Sequence, residues 1–347
     1  MKAYAFAIPV FLAAALSSGC LKVQPEEPVP ETVRTVFSIL DPGGTSRATG
    51  IRDENERNIE RWALLLYNNG KLIANGTSTS DGAITLTLAA GTYTAFAVVN
   101  YPVSGGDTFY PSKMTSSTLL SQKAAGLSCN APDSFLMVGS KSITVQATEE
   151  TAQAIPVTRM VCKAGIKKVS VGFDDPVLAA RPFILKGIYL TNCLLRLRYV
   201  SDYNYYELTD DESRWTNRMG LSSDSVADEL LSETGLDIRI ADGTSHDVAH
   251  YFYCYPNPTS SDNDTRSEDW RRRCTRMVLE TEIGGITYYY PITLPGMKRN
   301  RTYIAEEVII RSLGSRDPEL EVSGSVEVTF STSAEEWDSP LYIEEAS

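Results

Sequence analysis

The strongest constraint on the fold is a succession of short apolar runs broken by turn dipeptides. Trp62 to Tyr67 is an apolar run, Asn69-Gly70 is the tightest short hairpin signal, and Lys71 to Ala74 runs back. Asp81-Gly82 turns into Ile84, Leu86 and Leu88, which alternate with threonines, and Ala90-Gly91 leads into Tyr93–Val99. That last run has little polarity, which places it centrally in a sheet. Short strands at this spacing predict a β-sandwich. The chain's 18 tyrosines and frequent Val, Ile and Thr push the same way, toward strand rather than helix.

Ser134–Val138 and Ser142–Val145 close a first unit, and the polar run Gln146–Ala154 marks a boundary. Beyond it Ile155–Cys162, Ile166–Phe173, Phe183–Asn192 and Leu194–Val200 read as strands. So do Tyr251–Tyr255, Met277–Ile283, Ile286–Ile292, Thr302–Ile310, Ser325–Phe330 and Leu341–Ile343. Lys113–Leu120 reads as a helical excursion. Tyr203–Gly235 is a long acidic insertion with a short amphipathic helix at Ser225–Leu231. The expected architecture is all-β: two tandem sandwiches, spanning 48–150 and 151–347.

The N-terminal end reads as a leader. Lys2 supplies the positive start, and Ala3–Leu16 is an apolar stretch too short to span a membrane stably. Leu16-Ser17-Ser18-Gly19-Cys20 reads as a lipobox, in which Cys20 is acylated and becomes the new N-terminus after residues 1–19 are removed. Leu16 stands one place further from the cysteine than the usual pattern, and a plain secretory signal is the other reading. Leu21–Glu31, with three prolines and three glutamates, makes an extended spacer.

Directly after the spacer, Val33, Phe37 and Ile39 lie on one face of a strand, with Thr35 between them. Asp41-Pro42-Gly43-Gly44-Thr45-Ser46-Arg47 follows as a turn-rich loop ending in a basic residue. An apolar strand next to a protease-sensitive loop can be cut away and replaced. Three such side chains, at roughly 1.5–3 kcal/mol each, amount to about 5–9 kcal/mol, against about 5–15 kcal/mol for a whole domain. An ordinary edge strand followed by an ordinary loop is the alternative.

Little in the chain suggests catalysis. A formal net charge of −12 and the lack of a long basic run argue against nucleic acid. There is no G-x-S-x-G elbow, P-loop or G-x-G-x-x-G. His246 and His250 have helix-face zinc spacing, but Asp247 stands where a glutamate base belongs. Asp262, Asp264 and Asp269 could offer oxygens to calcium, yet fit no EF-hand and read as a solvated loop. Arg271-Arg272-Arg273 reads as a surface patch. No catalytic residue, metal ligand or cofactor is expected. Of Cys129, Cys162, Cys193, Cys254 and Cys274, none forms a C-x-x-C pair; Cys254 and Cys274 could staple the loop between them for about 3 kcal/mol, or all remain buried thiols.

Several segments taken in order resemble the Bacteroidales fimbrillin family, the lipoprotein-derived subunits of type V pili. They are Thr45-Ser46-Arg47-Ala48-Thr49-Gly50 ahead of the Trp62–Tyr67 hairpin, then Phe135-Leu136-Met137-Val138-Gly139-Ser140, then Pro156-Val157-Thr158-Arg159-Met160-Val161-Cys162-Lys163-Ala164. Tyr290-Pro291-Ile292, Arg299-Asn300-Arg301-Thr302-Tyr303, Gly314-Ser315-Arg316-Asp317-Pro318-Glu319 and the tail with Trp337 complete the series. The resemblance implies two transthyretin-like sandwiches. It also implies an arginine-specific protease that removes the lipidated first strand, so that the groove accepts a neighbour's C-terminal strand. Carried onto this chain, the cut falls at Arg47–Ala48, with Arg34 and Arg52 as competitors. The removed strand carries Val33, Phe37 and Ile39, and the donor region carries Val326, Val328, Phe330, Leu341 and Ile343. The implied partners are other fimbrial subunits and, through lipid, the outer membrane. A membrane-retained anchor, a tip subunit, or a glycan-binding surface lipoprotein with stacking aromatics remain the alternative roles.

Overall fold

The computed structural model describes residues 32–40, 56, 58–147, 150–200, 215–216, 228–262 and 273–331. Its first unit holds nine strands: β1 (Thr32–Leu40), β2 (Arg61–Asn68), β3 (Lys71–Thr79), β4 (Ile84–Ala89), β5 (Gly91–Val99), β6 (Ala124–Gly126), β7 (Met137–Val145), β8 (Thr151–Pro156) and β9 (Thr158–Arg159). The second holds β10 (Cys162–Val171), β11 (Phe183–Thr191), β12 (Cys193–Leu194), β13 (Arg196–Arg198), β14 (Trp215–Thr216), β15 (Ser232–Ile240) and β16 (Thr244–Cys254). It continues with β17 (Arg276–Ile283), β18 (Ile286–Thr293), β19 (Thr302–Ile310) and β20 (Val326–Ser331). Helix is confined to short pieces such as α1 (Ser117–Gln122), α2 (Pro176–Ala179) and α3 (Asp228–Leu231). The fold is all-β, as expected, and among the described residues no helix is long and apolar enough to cross a membrane.

Each unit is two facing sheets. In the first, the order β3-β2-β5-β7-β9 faces β4-β1-β8; in the second, β15-β11-β17-β18 faces β16-β10-β19-β20. The two units repeat one winding. β1 and β10 are each the first strand of their unit, and each pairs antiparallel on one side and parallel on the other. β20 is the extra strand, at a sheet edge that ends with β8 in the first unit.

Alternation explains where the cores sit. Trp62, Leu64 and Leu66 of β2 point into the first unit's core with Phe37, Ile84, Leu88, Ile143 and Ile155. Ala63, Leu65 and Tyr67 point the other way, into a larger core shared with the second unit. A strand covered on both faces has no polar face to show, which is why the Trp62–Tyr67 run is continuous rather than alternating. The Asn69-Gly70 turn has φ of 48° and 75°. Positive values at both central residues are what a type I′ hairpin demands.

Two expectations shift. The polar run near 150 is no boundary, because Thr151–Pro156 pairs parallel with β1, and Thr158–Arg159 pairs with β7. The first unit's sheets therefore run on past 150. Here the chain crosses over Gly139, where a Cβ would lie 1.8 Å from the Pro156 carbonyl oxygen; only glycine fits. The long insertion also yields β15, which pairs with β11 through Phe183↔Ile240 and Leu185↔Ile238. His246-Asp247-Val248-Ala249-His250 lies on a strand, with His246 and His250 of β16 opposite Val169 and Ile166. Their helix-face spacing therefore has no meaning here.

Candidate functional site: the strand-filled groove

β1 is the middle strand of its three-stranded sheet. It runs antiparallel to β4, from Thr32↔Ala89 to Phe37↔Ile84, and parallel to β8, from Thr35↔Thr151 to Leu40↔Pro156. Val33, Thr35 and Phe37 face the core and are buried; Phe37 and Thr35 are both 0 % exposed, Ile39 is half-buried, and Leu40 faces out. Two buried apolar side chains and one half-buried contribute about 4–7 kcal/mol, somewhat less than three fully buried ones would. Lifting β1 out would leave β4 and β8 with unpaired backbone edges lining an apolar slot, a state a sheet avoids by taking up another strand.

β1 also carries a defect. The Thr35 hydroxyl is buried and has no hydrogen-bond partner among the described residues. An unsatisfied buried hydroxyl costs about 1–3 kcal/mol, so the strand that fills the groove is held less tightly than its burial suggests.

Glu56 lies downstream of the candidate cut sites, at the junction of the units. It is 3 % exposed. Its Oε1 accepts from Lys163 Nζ at 2.6 Å and from the Tyr253 hydroxyl. Its backbone carbonyl accepts from Arg159 Nε at 3.0 Å, and Arg159 Nη1 donates to Asn300 Oδ1 at 3.3 Å. The Lys163 ammonium also stands 4.5 Å from the Tyr251 ring centre. Two of the segments that carry the family resemblance, around Arg159–Lys163 and around Asn300, therefore meet here. Sequence reading missed Glu56, because nothing local separates it from its acidic neighbours.

Cys20, Arg47, Ala48, Arg52, Leu341 and Ile343 lie outside the described residues. Arg34 is described, and it sits inside β1, its side chain paired with Glu150 at 2.9 Å. A protease must hold an extended substrate, so cutting there requires β1 to leave first. Val326, Val328 and Phe330 form β20, opposite Ile310, Val308 and Ala305 of β19, half-buried against the larger core. They are edge-strand residues of their own unit.

Asp262 is exposed but tied to its neighbours. It accepts from the Cys274 backbone N–H at 2.8 Å and pairs with Arg276. Among the described residues no group of His, Cys, Asp and Glu is arranged to hold a metal.

No protein-family model and no curated protein sequence matches the chain. Solved structures do. A candidate cell adhesion protein from Bacteroides eggerthii superposes with a TM-score of 0.63 at 16 % identity, covering 88 % of this chain and 97 % of its own. A fimbrillin from Porphyromonas gingivalis gives 0.58 at 15 %, covering 87 % and 97 %. The chain has the fimbrillin fold. The tip fimbrial protein Mfa3 of Porphyromonas gingivalis, truncated at its C-terminus, gives 0.50 at 15 %, covering 86 % and 98 %. At these identities the likeness is one of fold, and it reaches across both units.

Proposed function

We propose that this chain is a fimbrillin-family protein: a structural subunit of a cell-surface fimbria that contributes to adhesion and carries no catalytic activity of its own. It is exported as a lipoprotein on Cys20 to the outer membrane and cut after Arg47 by an arginine-specific protease. It then polymerises when a neighbour's C-terminal strand replaces β1. The observation that carries this reading is the place of β1: the strand before the turn-rich loop is the central strand of its sheet, so its loss creates a strand-shaped vacancy rather than trimming an edge. Val326, Val328 and Phe330 already serve β19, so Leu341 and Ile343 supply the apolar teeth of the donor. The fimbrial and cell-adhesion descriptions of the structural neighbours support the surface role and other fimbrial subunits as partners.

The N-terminus of the mature surface protein tests it by mass spectrometry. A lipid-free start at Ala48 supports a shaft subunit. A start at acylated Cys20 means that β1 stays in place, and the chain is then a membrane-retained anchor or tip. A glycan-binding lipoprotein would instead hold soluble polysaccharide and form no heat-resistant ladders.

A further inference from the structure

Three cysteines of the second unit, Cys162, Cys193 and Cys254, are all 0 % exposed. Cys162 and Cys254 are register partners on the antiparallel strands β10 and β16. Their sulfurs lie 3.6 Å apart, in van der Waals contact, and the Cys162 thiol donates to the Cys254 carbonyl oxygen at 3.1 Å. A disulfide needs its sulfurs at about 2.05 Å, a distance that side-chain rotation can close when the backbones already sit opposite one another. Cys274, the partner the sequence suggested for Cys254, instead lies beside Asp262, where burial pushes its thiol up to about 11.

We propose that Cys162 and Cys254 form a disulfide in the exported protein, bolting β10 to β16 at the end of the sheet next to the Glu56 junction. The next register pair along is Lys163↔Tyr253, and both hold Glu56. The bond would therefore fix the strand ends that carry the junction. It also falls on β10, the second unit's counterpart of β1, so the strand equivalent to the removable one becomes covalently tied to its neighbour.

The chemistry is a two-step exchange with a disulfide oxidant, either an oxidoreductase of the export compartment or glutathione disulfide. The thiolate of one of the two cysteines attacks one oxidant sulfur and displaces the other as a thiolate. The second cysteine's thiolate then attacks the protein sulfur of the mixed disulfide and releases the second thiolate. The chain loses two protons and two electrons, and the oxidant's disulfide becomes two thiols. In the finished fold burial pushes the Cys162 and Cys193 thiols up. Because the pair is sealed in the finished fold, the exchange takes place while β10 and β16 are closing.

The inference rests on the export reading, since a reducing cytosol would keep the thiols apart, and the test separates the two. The full chain is made with its own leader in a bacterium and recovered from the envelope. A second sample is unfolded, reduced and refolded in a glutathione redox buffer. Both are denatured without reductant in a thiol-alkylating reagent, digested and mapped by mass spectrometry. In both, peptides bearing Cys162 and Cys254 should be joined, two hydrogens lighter than their sum, with Cys129, Cys193 and Cys274 alkylated. A refolded chain with every thiol alkylated, or with Cys254 joined to Cys193 or Cys274, overturns the pairing. A correct bond on refolding beside free thiols in the envelope sample upholds the pairing and overturns the oxidising export route, which the acyl mass on Cys20 reports independently.

Discussion

The defect in β1 makes a prediction whose sign is unusual for a buried position. Thr35 lies opposite Leu86 on β4 and Thr151 on β8, fully buried, its hydroxyl without a partner among the described residues. Valine has nearly the same shape and no hydroxyl to desolvate. Thr35→Val should therefore stabilise the docked strand by about 1–3 kcal/mol, the cost of leaving such a group unsatisfied. At 1.4 kcal/mol per tenfold, the open groove becomes about 5- to 140-fold rarer. Hydrogen exchange read by mass spectrometry on the full chain reports this directly, because the amides of β1, and those of β4 and β8 that bond to it, exchange when the strand lifts. Their exchange should slow in the variant while that of β11 and β17 does not. If cut subunits must shed β1 to polymerise, heat-resistant ladders should also form more slowly. As a control, Phe37→Ala empties a fully buried aromatic site at a cost of about 3–5 kcal/mol and should speed exchange in the same peptides. Unchanged or faster exchange in Thr35→Val would refute the reasoning, since the hydroxyl would then have a partner or the strand would not be its own opening unit.

Other outcomes follow from the same geometry. Arg47→Ala should block maturation and leave lipidated monomer, whereas Arg34→Ala should mature normally; a normal polymer from Arg47→Ala removes that residue as the cut site. Glu56→Gln removes the carboxylate that the Lys163 ammonium and the Tyr253 hydroxyl share and should cost about 3–5 kcal/mol, read as a lower urea midpoint; an unchanged midpoint means that the junction does not depend on this ion pair. A charge at Leu341 or Ile343, as in Ile343→Glu, should weaken polymerisation without changing monomer stability, and normal fibres would take that stretch out of the donor role. The Cys162–Cys254 bond would close a loop of 92 residues, so adding reductant to the oxidised protein should cost about 4–5 kcal/mol, visible as a fall in Tm.

How much of this was legible in the sequence depends on the range of the interaction responsible. Alternation and turn chemistry are local, so β4, the β2–β3 hairpin and the central place of β5 could be read directly. β8 could not, because its neighbour is β1, more than a hundred residues earlier, and a half-buried strand with Thr, Gln and Ala looks like a linker. β15 was lost for a similar reason: Leu236, Ile238 and Ile240 alternate well enough, but they follow an acidic stretch that masks the start. Glu56 and the paired cysteines are readable only in three dimensions, since register alone brings residues 92 positions apart face to face.

On the proposed processing, the repeated winding of the two units accounts for strand loss in one and not the other. β1 and β10 occupy the same place, antiparallel to β4 and β16 and parallel to β8 and β19 respectively. β10 has β9 immediately before it and β11 after it, so no single cut can free it. Among the described residues β1 is the first strand and is joined to the rest of its sheet by the chain that follows it, so one cut between Leu40 and Glu56 severs that link. The edge strands tell the same story. In the second unit β20 covers β19, and in the first unit the sheet, among the described residues, stops at β8. Removing β1 therefore leaves β8 with neither inner nor outer strand partner among the described residues. A lone half-buried strand of six residues cannot hold its place for long, so the emptied unit must either take a new strand quickly or lose that side of its sandwich. That requirement ties processing to assembly: the cut subunit should be short-lived unless a neighbour's strand is already at hand.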